Sequence, residues 1–292
     1  MISSQIMRKY AISFLMIILL AMDALSQDKP NLFDKENLIA WCIVPFDDPE
    51  RTSEQRSQML NELGINKLAY DWRERHVPFF EDEIKALKKH NIRLQSFWYY
   101  SGPDPENDKN FALIIDLLKK HDIKTEIWTM ITGIKNLDSM SQQEKIVAVS
   151  KPVKYIAEKA DAIGCKVGLY NHGGWFGEPE NQLAIIDHLK LKNIGMVYNF
   201  SHSEYQIHRF PQFFKLILPH LYAINVTGLQ GMNPAKVVPI GKGDVEFKMM
   251  KIIESSSYSG PIGIINEDFA KDAKDGLLMN LEGLQKYKMH KH

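Results

Sequence analysis

Residues 166–182 read KVGLYNHGGWFGEPENQ. A short apolar run, 167–169, leads into three polar side chains, Tyr-Asn-His at 170–172, and then into a pair of glycines. The EPE at 178–180 places proline and acidic residues as they occur in the first turn of a helix. The stretch therefore predicts a buried strand that ends in polar side chains and is followed by a helix. In α/β proteins the catalytic and ligand-binding residues usually lie at such strand ends.

The same strand-then-helix unit repeats along the chain. Apolar runs typical of strands covered on both faces occur at 38–44, 67–71, 92–98, 123–130, 166–171, 194–199, 221–226 and 261–266. Helical segments lie between them, at 52–63, 79–90, 107–121, 141–163, 179–191, 205–218 and 245–255, and a last helix closes the chain.

Strict alternation of strands and helices over roughly 250 residues indicates one parallel sheet with helices outside it. We predict an α/β fold, a single (β/α)8 TIM barrel spanning residues 38–292 with a C-terminal helix. The competing doubly wound sheet usually carries a glycine-rich turn after its first strand. Residues 44–49, VPFDDP, do not resemble such a turn, and no linker rich in proline or serine divides the chain.

The amino terminus has the pattern of a signal peptide. Arg8 and Lys9 precede an apolar run at 10–21, and the ALS at 24–26 supplies small residues at the two positions that a signal peptidase reads. We predict cleavage of residues 1–26, followed by a polar lead-in at 27–37. The apolar run is too short to cross a bilayer comfortably. The mature chain is therefore expected to be exported, to the periplasm or outside the cell, without a membrane anchor.

Acidic and basic side chains balance at 36 each, and no basic stripe stands out. A nucleic-acid partner has no electrostatic support, so a neutral ligand fits better than a polyanion. The two cysteines, Cys42 and Cys165, fall on or next to the first and fifth predicted strands, on opposite sides of a barrel. That separation is too large for a disulfide, so we expect buried free thiols.

In a TIM barrel the active site lies at the carboxyl ends of the strands. The residues predicted there combine aromatic rings, amides, imidazoles and charged groups: Trp41, Asp71, Arg73, Trp98, Glu126, Trp128, Tyr170, Asn171, His172, Asn199, His202, Asn225 and Glu267. Aromatic faces cover the C–H faces of a pyranose, while amides and carboxylates hold its hydroxyls. The set predicts a site for a small sugar or oligosaccharide, with the three tryptophans as its apolar wall. Asp71 and Arg73 fit a hydroxyl clamp and a structural ion pair equally well.

Two motifs carry a family resemblance: LYNHGG at 169–174, and GKGDVEFKMMKIIESSSYSGP at 241–261. They resemble the xylose isomerase-like barrels, the sugar phosphate isomerase/epimerase superfamily that also includes the family 2 AP endonucleases. The resemblance implies a metal site of four side chains at the ends of strands five to eight. The residues at those positions are Tyr170, Asn199, Asn225 and Ile265, where the family has Glu, Asp, His and Glu.

All four implied ligands are therefore altered. Divalent ions are held mainly by carboxylates and imidazoles, so we expect no metal site of the family type. A relocated site on His172, His202 and Glu267 stays open, and with it a divalent metal; no cofactor is certain.

Side chains two apart on a strand face the same way. Glu267 lies two residues past Ile265, and His172 lies two past Tyr170. We expect Glu267 and His172 to form an acid–base pair, supported by His202 and Glu126. Such a pair would serve epimerisation, isomerisation or elimination on a neutral sugar.

Three other interpretations are weighed against this one. A sugar-binding protein that has lost catalysis would explain the neutral ligand positions. A glycoside hydrolase would need two carboxyl groups at a suitable separation, and Glu126 with Glu267 is the obvious pair. Endonuclease activity is disfavoured because it needs the metals and a basic face.

Lys242, in a glycine turn, is interpreted as a loop lysine rather than part of an anion site. The sequence leaves the sugar and the oligomeric state undetermined.

Overall fold

The computed structural model describes residues 31–203, 205–266 and 270–290. The predicted signal peptide lies outside these ranges, as do the first residues of the polar lead-in and Glu267. Within the described ranges, no helix combines the length and the apolar character needed to span a bilayer.

The described residues form ten strands: β1 (Leu38–Trp41), β2 (Lys67–Tyr70), β3 (Arg93–Ser101), β4 (Glu126–Ile131), β5 (Lys166–Tyr170), β6 (Ile194–Asn199), β7 (Leu221–Val226), β8 (Gly228–Gln230), β9 (Lys236–Val238) and β10 (Ile262–Ile265). Eight of them close into a barrel in the order β1-β2-β3-β4-β5-β6-β7-β10, and β10 pairs back to β1. All eight pairings are parallel. The predicted (β/α)8 barrel is confirmed.

Parallel neighbours need long crossover connections, and a helix occupies each of them here. The helices are α1 (Ser53–Leu63), α2 (Phe80–Lys89), α3 (Lys109–Lys120), α4 (Gln142–Asp161), α5 (Pro179–Leu189), α6 (Phe210–Ile217), α7 (Glu246–Glu254) and the closing α8 (Ala273–Met289). Capping boxes fix two of the starts, with Thr52 and Ser141 each exchanging hydrogen bonds with the residue three positions later.

Strand β1 and helix α6 are among the elements that are shorter than predicted. Strand β1 ends at Trp41 rather than Val44 because Cys42 adopts a φ of 57°, which breaks the extended backbone. Helix α6 begins at Phe210 rather than 205, directly before Pro211, and a 3-10 turn at Ile207–Arg209 precedes it.

An antiparallel hairpin of β8 and β9 follows β7 and was not predicted. Its three-residue strands are too short to show a periodicity. The Glu246 carboxylate anchors this region, accepting backbone N–H groups from Leu229 at 3.2 Å, Gly241 at 3.0 Å and Gly243 at 3.2 Å. The N–H groups of the glycine turn are thus directed at a carboxylate of this chain. This arrangement agrees with Lys242 being a loop lysine.

Large side chains fill the barrel interior. Trp128 on β4 is fully buried, and its register partner on β5 is Gly168. A Cβ on Gly168 would lie 3.0 Å from Cδ1 of Trp128 and 2.7 Å from Cγ2 of Val197, so only glycine leaves room for the indole. Cys42 and Cys165 are both buried and form no disulfide, as predicted.

Candidate active site at the carboxyl end of the barrel

A layer of packed aromatic rings closes the centre of the barrel. The Trp41 ring lies 5.9 Å from Trp98, 5.1 Å from Trp128 and 5.7 Å from Tyr170, all edge to face. Trp98 is 8% exposed, Trp41 is 3% exposed and Trp128 is not exposed. The three tryptophans predicted to line the apolar wall of the site therefore lie mostly buried at its base. Trp98 retains a small accessible area, whereas Trp128 lies beneath and reaches no ligand directly.

Neutral hydrogen bonds connect the polar residues of this layer. The Tyr170 hydroxyl accepts Nε1–H of Trp41 at 2.9 Å and also accepts Nδ2–H of Asn199. Asn171 donates to the carbonyl of Asn199 at 3.0 Å and accepts its backbone N–H at 2.6 Å. These predicted sugar contacts are buried and already satisfied by one another. They hold the strand ends together rather than facing a ligand.

Asn225 on β7 is the exception among the buried amides. It is fully buried and pairs in register with Asn199 and with Gly263. Neither its Oδ1 nor its Nδ2 has a hydrogen-bond partner among the described residues. Among the buried asparagines Asn171, Asn199 and Asn225, Asn225 is thus the one whose side-chain polar atoms lack hydrogen-bond partners in the described part of the chain.

Two imidazoles lie above the aromatic layer. The rings of His172 and His202 are 4.1 Å apart, and His202 packs edge-on against Tyr170 at 5.8 Å. His172 is exposed and lies 6.4 Å from Trp98, whereas His202 is half-buried. Burial, followed by the neighbouring His172, lowers the pKa of His202 to about 3. His202 is therefore a neutral imidazole at physiological pH. His172 and His202 therefore lie together at the carboxyl end of the barrel.

Asp71 and Arg73 follow β2 but form no side-chain ion pair with each other. The Arg73 guanidinium donates instead to the backbone carbonyls of Asp71 and Trp72, both at 2.9 Å. The buried Asp71 carboxylate accepts the backbone N–H of Val44 at 3.3 Å, and its Oδ2 has no partner among the described residues. Burial raises the pKa of Asp71 to about 7, against an opposing effect of Arg73. Asp71 is therefore buried, and of these two residues only Arg73 is exposed.

This raised pKa predicts how stability depends on pH. Below about pH 4 the Asp71 carboxyl is neutral in both folded and unfolded chains, and between about 4 and 7 only the unfolded chain ionises it freely. Stability is therefore lost as pH rises through this window, by up to about 1.4 kcal/mol per pH unit. Asp71→Asn should raise the melting temperature above wild type at pH 8 and match it at pH 4. Asp82→Asn, at an exposed site on α2, is the control, and an equal gain at both pH values would contradict the prediction.

Glu126 is not where the sequence placed it. It is the first residue of β4, so it lies at the amino-terminal end of the barrel, opposite the histidine pair. Its carboxylate accepts Nε1–H of Trp128 at 2.7 Å and Nε2–H of Gln95 at 3.0 Å. Glu126 therefore does not lie beside His172 at the carboxyl end of the barrel, as expected, and its carboxylate does not face a ligand there. The glycosidase pair loses its basis too, because five residue steps along the strand, roughly 17 Å, separate Glu126 from the carboxyl end of β4.

Glu267, the proposed acid–base partner of His172, lies outside the described residues. Sequence reasoning also passed over Trp72, which stands between two residues that it did select. The Trp72 indole donates to the carbonyl of Trp98 at 2.6 Å and so ties the end of β2 to β3. The signal was its position in the run YDWR directly after a predicted strand.

A family model described as xylose isomerase-like TIM barrel matches residues 59–287. The chain belongs to this family. No curated protein gives a significant match.

Solved structures of the same fold resemble this xylose isomerase-like barrel at low sequence identity. The IOLI protein with a bound zinc atom matches with a TM-score of 0.69 and 10% identity, over 86% of this chain and 97% of that one. The 3-keto-D-glucoside 4-epimerase YcjR from E. coli matches with 0.64 and 13%, over 87% and 99%. D-psicose 3-epimerase with D-tagatose, from Clostridium cellulolyticum H10, matches with 0.62 and 13%, over 87% and 98%.

The residues at the four family ligand positions do not fit a metal ion. The Tyr170 hydroxyl already accepts two N–H groups, and Oδ1 of Asn199 accepts the backbone N–H of Ser201 at 3.0 Å. Asn225 is neutral and Ile265 has no donor atom, so the set carries no negative charge to balance a divalent cation. Nowhere in residues 31–203, 205–266 and 270–290 do three or more His, Cys, Asp or Glu side chains form a metal-binding group. The relocated site would need Glu267, which lies outside those ranges.

Proposed function

We propose that this xylose isomerase-like barrel acts on a neutral sugar by acid–base chemistry that does not depend on a metal. The observation that carries the proposal is the pair of imidazoles, His172 and His202, 4.1 Å apart above the neutral aromatic layer. The fold supports a sugar as the substrate, since the similar structures include a 3-keto-D-glucoside 4-epimerase and a D-psicose 3-epimerase. Trp98 and the exposed Arg73 would contact the sugar beside the histidines.

In this reaction the exposed His172 takes a proton from a carbon next to a carbonyl. The electrons of the broken C–H bond move onto the carbonyl oxygen and form an enediolate. Return of the proton to the opposite face gives an epimer, return to the neighbouring carbon gives an isomer, and loss of a β-substituent gives elimination. His202 stays neutral because its pKa is about 3, so a proton arriving on His172 meets no second positive charge. Glu267, two residues past Ile265 in sequence, is the proposed acid–base partner.

A second candidate is a sugar-binding protein without catalysis. It is favoured by the closed aromatic layer, in which Tyr170, Asn171 and Asn199 satisfy one another. In that case the histidines and Trp98 bind hydroxyls and C–H faces but move no proton.

The predicted signal peptide is part of the proposal, with the mature protein exported to the periplasm or outside the cell. Mass spectrometry of the protein from the periplasmic and extracellular fractions tests it. A mature chain beginning at Gln27 is the expected result, whereas an intact amino terminus on protein retained in the cytoplasm would contradict export.

The test of function starts from chelator-treated mature protein, checked for metal content by mass spectrometry. A library of neutral sugars and 3-keto sugars is screened by thermal shift, and each binder is incubated with the protein in D2O. Deuterium at the carbon next to the carbonyl, or an epimer, supports proton transfer. Binding without exchange selects the binding protein, and turnover that returns only with added metal overturns the metal-independent mechanism. If no sugar binds, the sugar substrate itself is wrong.

A further inference from the structure

Glu126 lies at the opposite end of the barrel from the proposed reaction, yet its carboxylate forms a hydrogen bond with Trp128 of the aromatic layer. Oε2 accepts Nε1–H of Trp128 at 2.7 Å, and Oε1 accepts Nε2–H of Gln95 on the neighbouring strand β3 at 3.0 Å. Glu126 and Trp128 are two residues apart on β4, so both side chains face the barrel interior. An indole N–H has no hydrogen-bond acceptor of its own and, when buried, needs a partner such as this carboxyl group. The carboxylate therefore fixes the direction in which the indole N–H points.

The other edges of the Trp128 indole meet the layer beneath the histidines. Its ring stacks on Tyr170 at 6.2 Å with an interplanar angle of 25°, and it meets Trp41 edge-on at 5.1 Å. Gly168 leaves the space for its Cδ1 edge. Because the ring is not exposed, any change in its orientation must be taken up by Tyr170 and Trp41.

Tyr170 transmits that orientation to the mouth of the barrel. Its hydroxyl accepts the Trp41 indole N–H at 2.9 Å, and its ring is the surface against which His202 packs at 5.8 Å. A continuous series of contacts thus runs from Glu126 through Trp128 and Tyr170 to His202. Each contact is directional, either a hydrogen bond or a ring pair.

We propose that Glu126 is a positioning residue: it orients the Trp128 indole and, through Tyr170, the imidazole of His202. Its importance for the reaction rests on the proposed function, whereas its effect on ring geometry does not. An apolar residue at 126 would leave a buried indole N–H unsatisfied, and burying such a group is unfavourable. The ring would then turn towards another acceptor, and the layer above would shift with it.

The indole N–H resonances of the five tryptophans test the positioning directly, in ¹H–¹⁵N NMR spectra of the mature protein. Glu126→Ala should shift the Trp128 signal, identified by its loss in Trp128→Phe, and also the signal of Trp41. In the Trp128→Phe background, which keeps a ring but lacks the donor, Glu126→Ala should leave Trp41 unmoved. Glu126→Gln, whose amide oxygen still accepts the N–H, should restore much of the wild-type spectrum. Gln95→Met is the matched control, because it removes the other hydrogen bond of Glu126 and leaves that to Trp128.

An unchanged Trp128 signal in Glu126→Ala would overturn the proposal, as would a Trp41 shift that persists in the Trp128→Phe background. If Glu126→Ala does not fold, Glu126→Leu provides the same comparison, since leucine fills much of the space of the glutamate side chain but offers no oxygen to accept the Trp128 N–H. With a sugar that turns over, Glu126→Ala should lower kcat about tenfold with KM nearly unchanged, and Glu126→Gln should recover most of it. Failure to find a sugar removes only this last comparison and counts against the proposed function, not against the positioning.

Discussion

Replacing His172 by glutamine is expected to lower turnover of the sugar by about 100-fold or more. Removal of a general base typically costs factors of 10² to 10⁴, and His172 is the exposed imidazole of the pair above the aromatic layer. Glutamine keeps a hydrogen-bonding side chain of similar length, so sugar binding should change much less than kcat. Steady-state kinetics and deuterium exchange on the same preparation measure both quantities.

His208→Gln is the matched control for this experiment, because His208 is an exposed histidine on the 3-10 turn before α6. It should leave kcat and KM unchanged. Turnover in His172→Gln equal to wild type would remove His172 from the mechanism. Equal losses in the two variants would show that the effect is not specific to the mouth of the barrel.

The second large effect concerns stability. Arg56 on α1 and Glu83 on α2 form a buried, two-pronged ion pair, with Nε to Oε1 and Nη2 to Oε2 both at 3.1 Å. The two residues are 5% and 1% exposed. Removing one partner leaves an uncompensated buried charge, so Glu83→Ala is expected to cost about 3 to 5 kcal/mol in the free energy of unfolding. Denaturant unfolding monitored by circular dichroism measures the change.

Glu81 supplies the control on the same helix. It also pairs with lysines, at 2.8 Å and 3.3 Å, but at the surface, so Glu81→Ala should change stability little. The double variant Arg56→Met with Glu83→Leu should recover much of the loss, since no unpaired charge remains. A small effect of Glu83→Ala alone would show that water reaches Arg56.

The architecture could be predicted because each strand is a compact apolar run. In an all-parallel barrel both faces of a strand are covered, so strands such as 194–199 and 221–226 stand out by composition alone and match the observed bounds. Where a strand ends was harder to infer. Cys42 and its neighbours in the run LIAWCIV are all apolar. The composition of this run therefore does not predict the positive φ of Cys42, which ends β1 at Trp41.

The same difficulty misplaced Glu126. It lies in the middle of the run IKTEIWTM, where composition does not show which end of the strand it occupies. The strand begins three residues later than predicted, at Glu126 itself, so this residue lies at the amino-terminal end of the barrel and not at the carboxyl end where we expected it. Burial was also invisible from the sequence. Tyr170, Asn171 and Asn199 have the composition of a ligand site, yet they form a closed hydrogen-bonded set.

The sequence by itself determined the barrel, the order of its eight barrel strands and the residue types at the family's metal-ligand positions. These follow from local patterns and residue types, which need no knowledge of neighbours. Only the tertiary structure decided which side chains meet: the histidine pair at one end, Glu126 under Trp128 at the other, and the aromatic layer between them. Strands distant in the sequence bring these groups together, so their distances depend on register and barrel closure, and no single stretch of sequence contains that information.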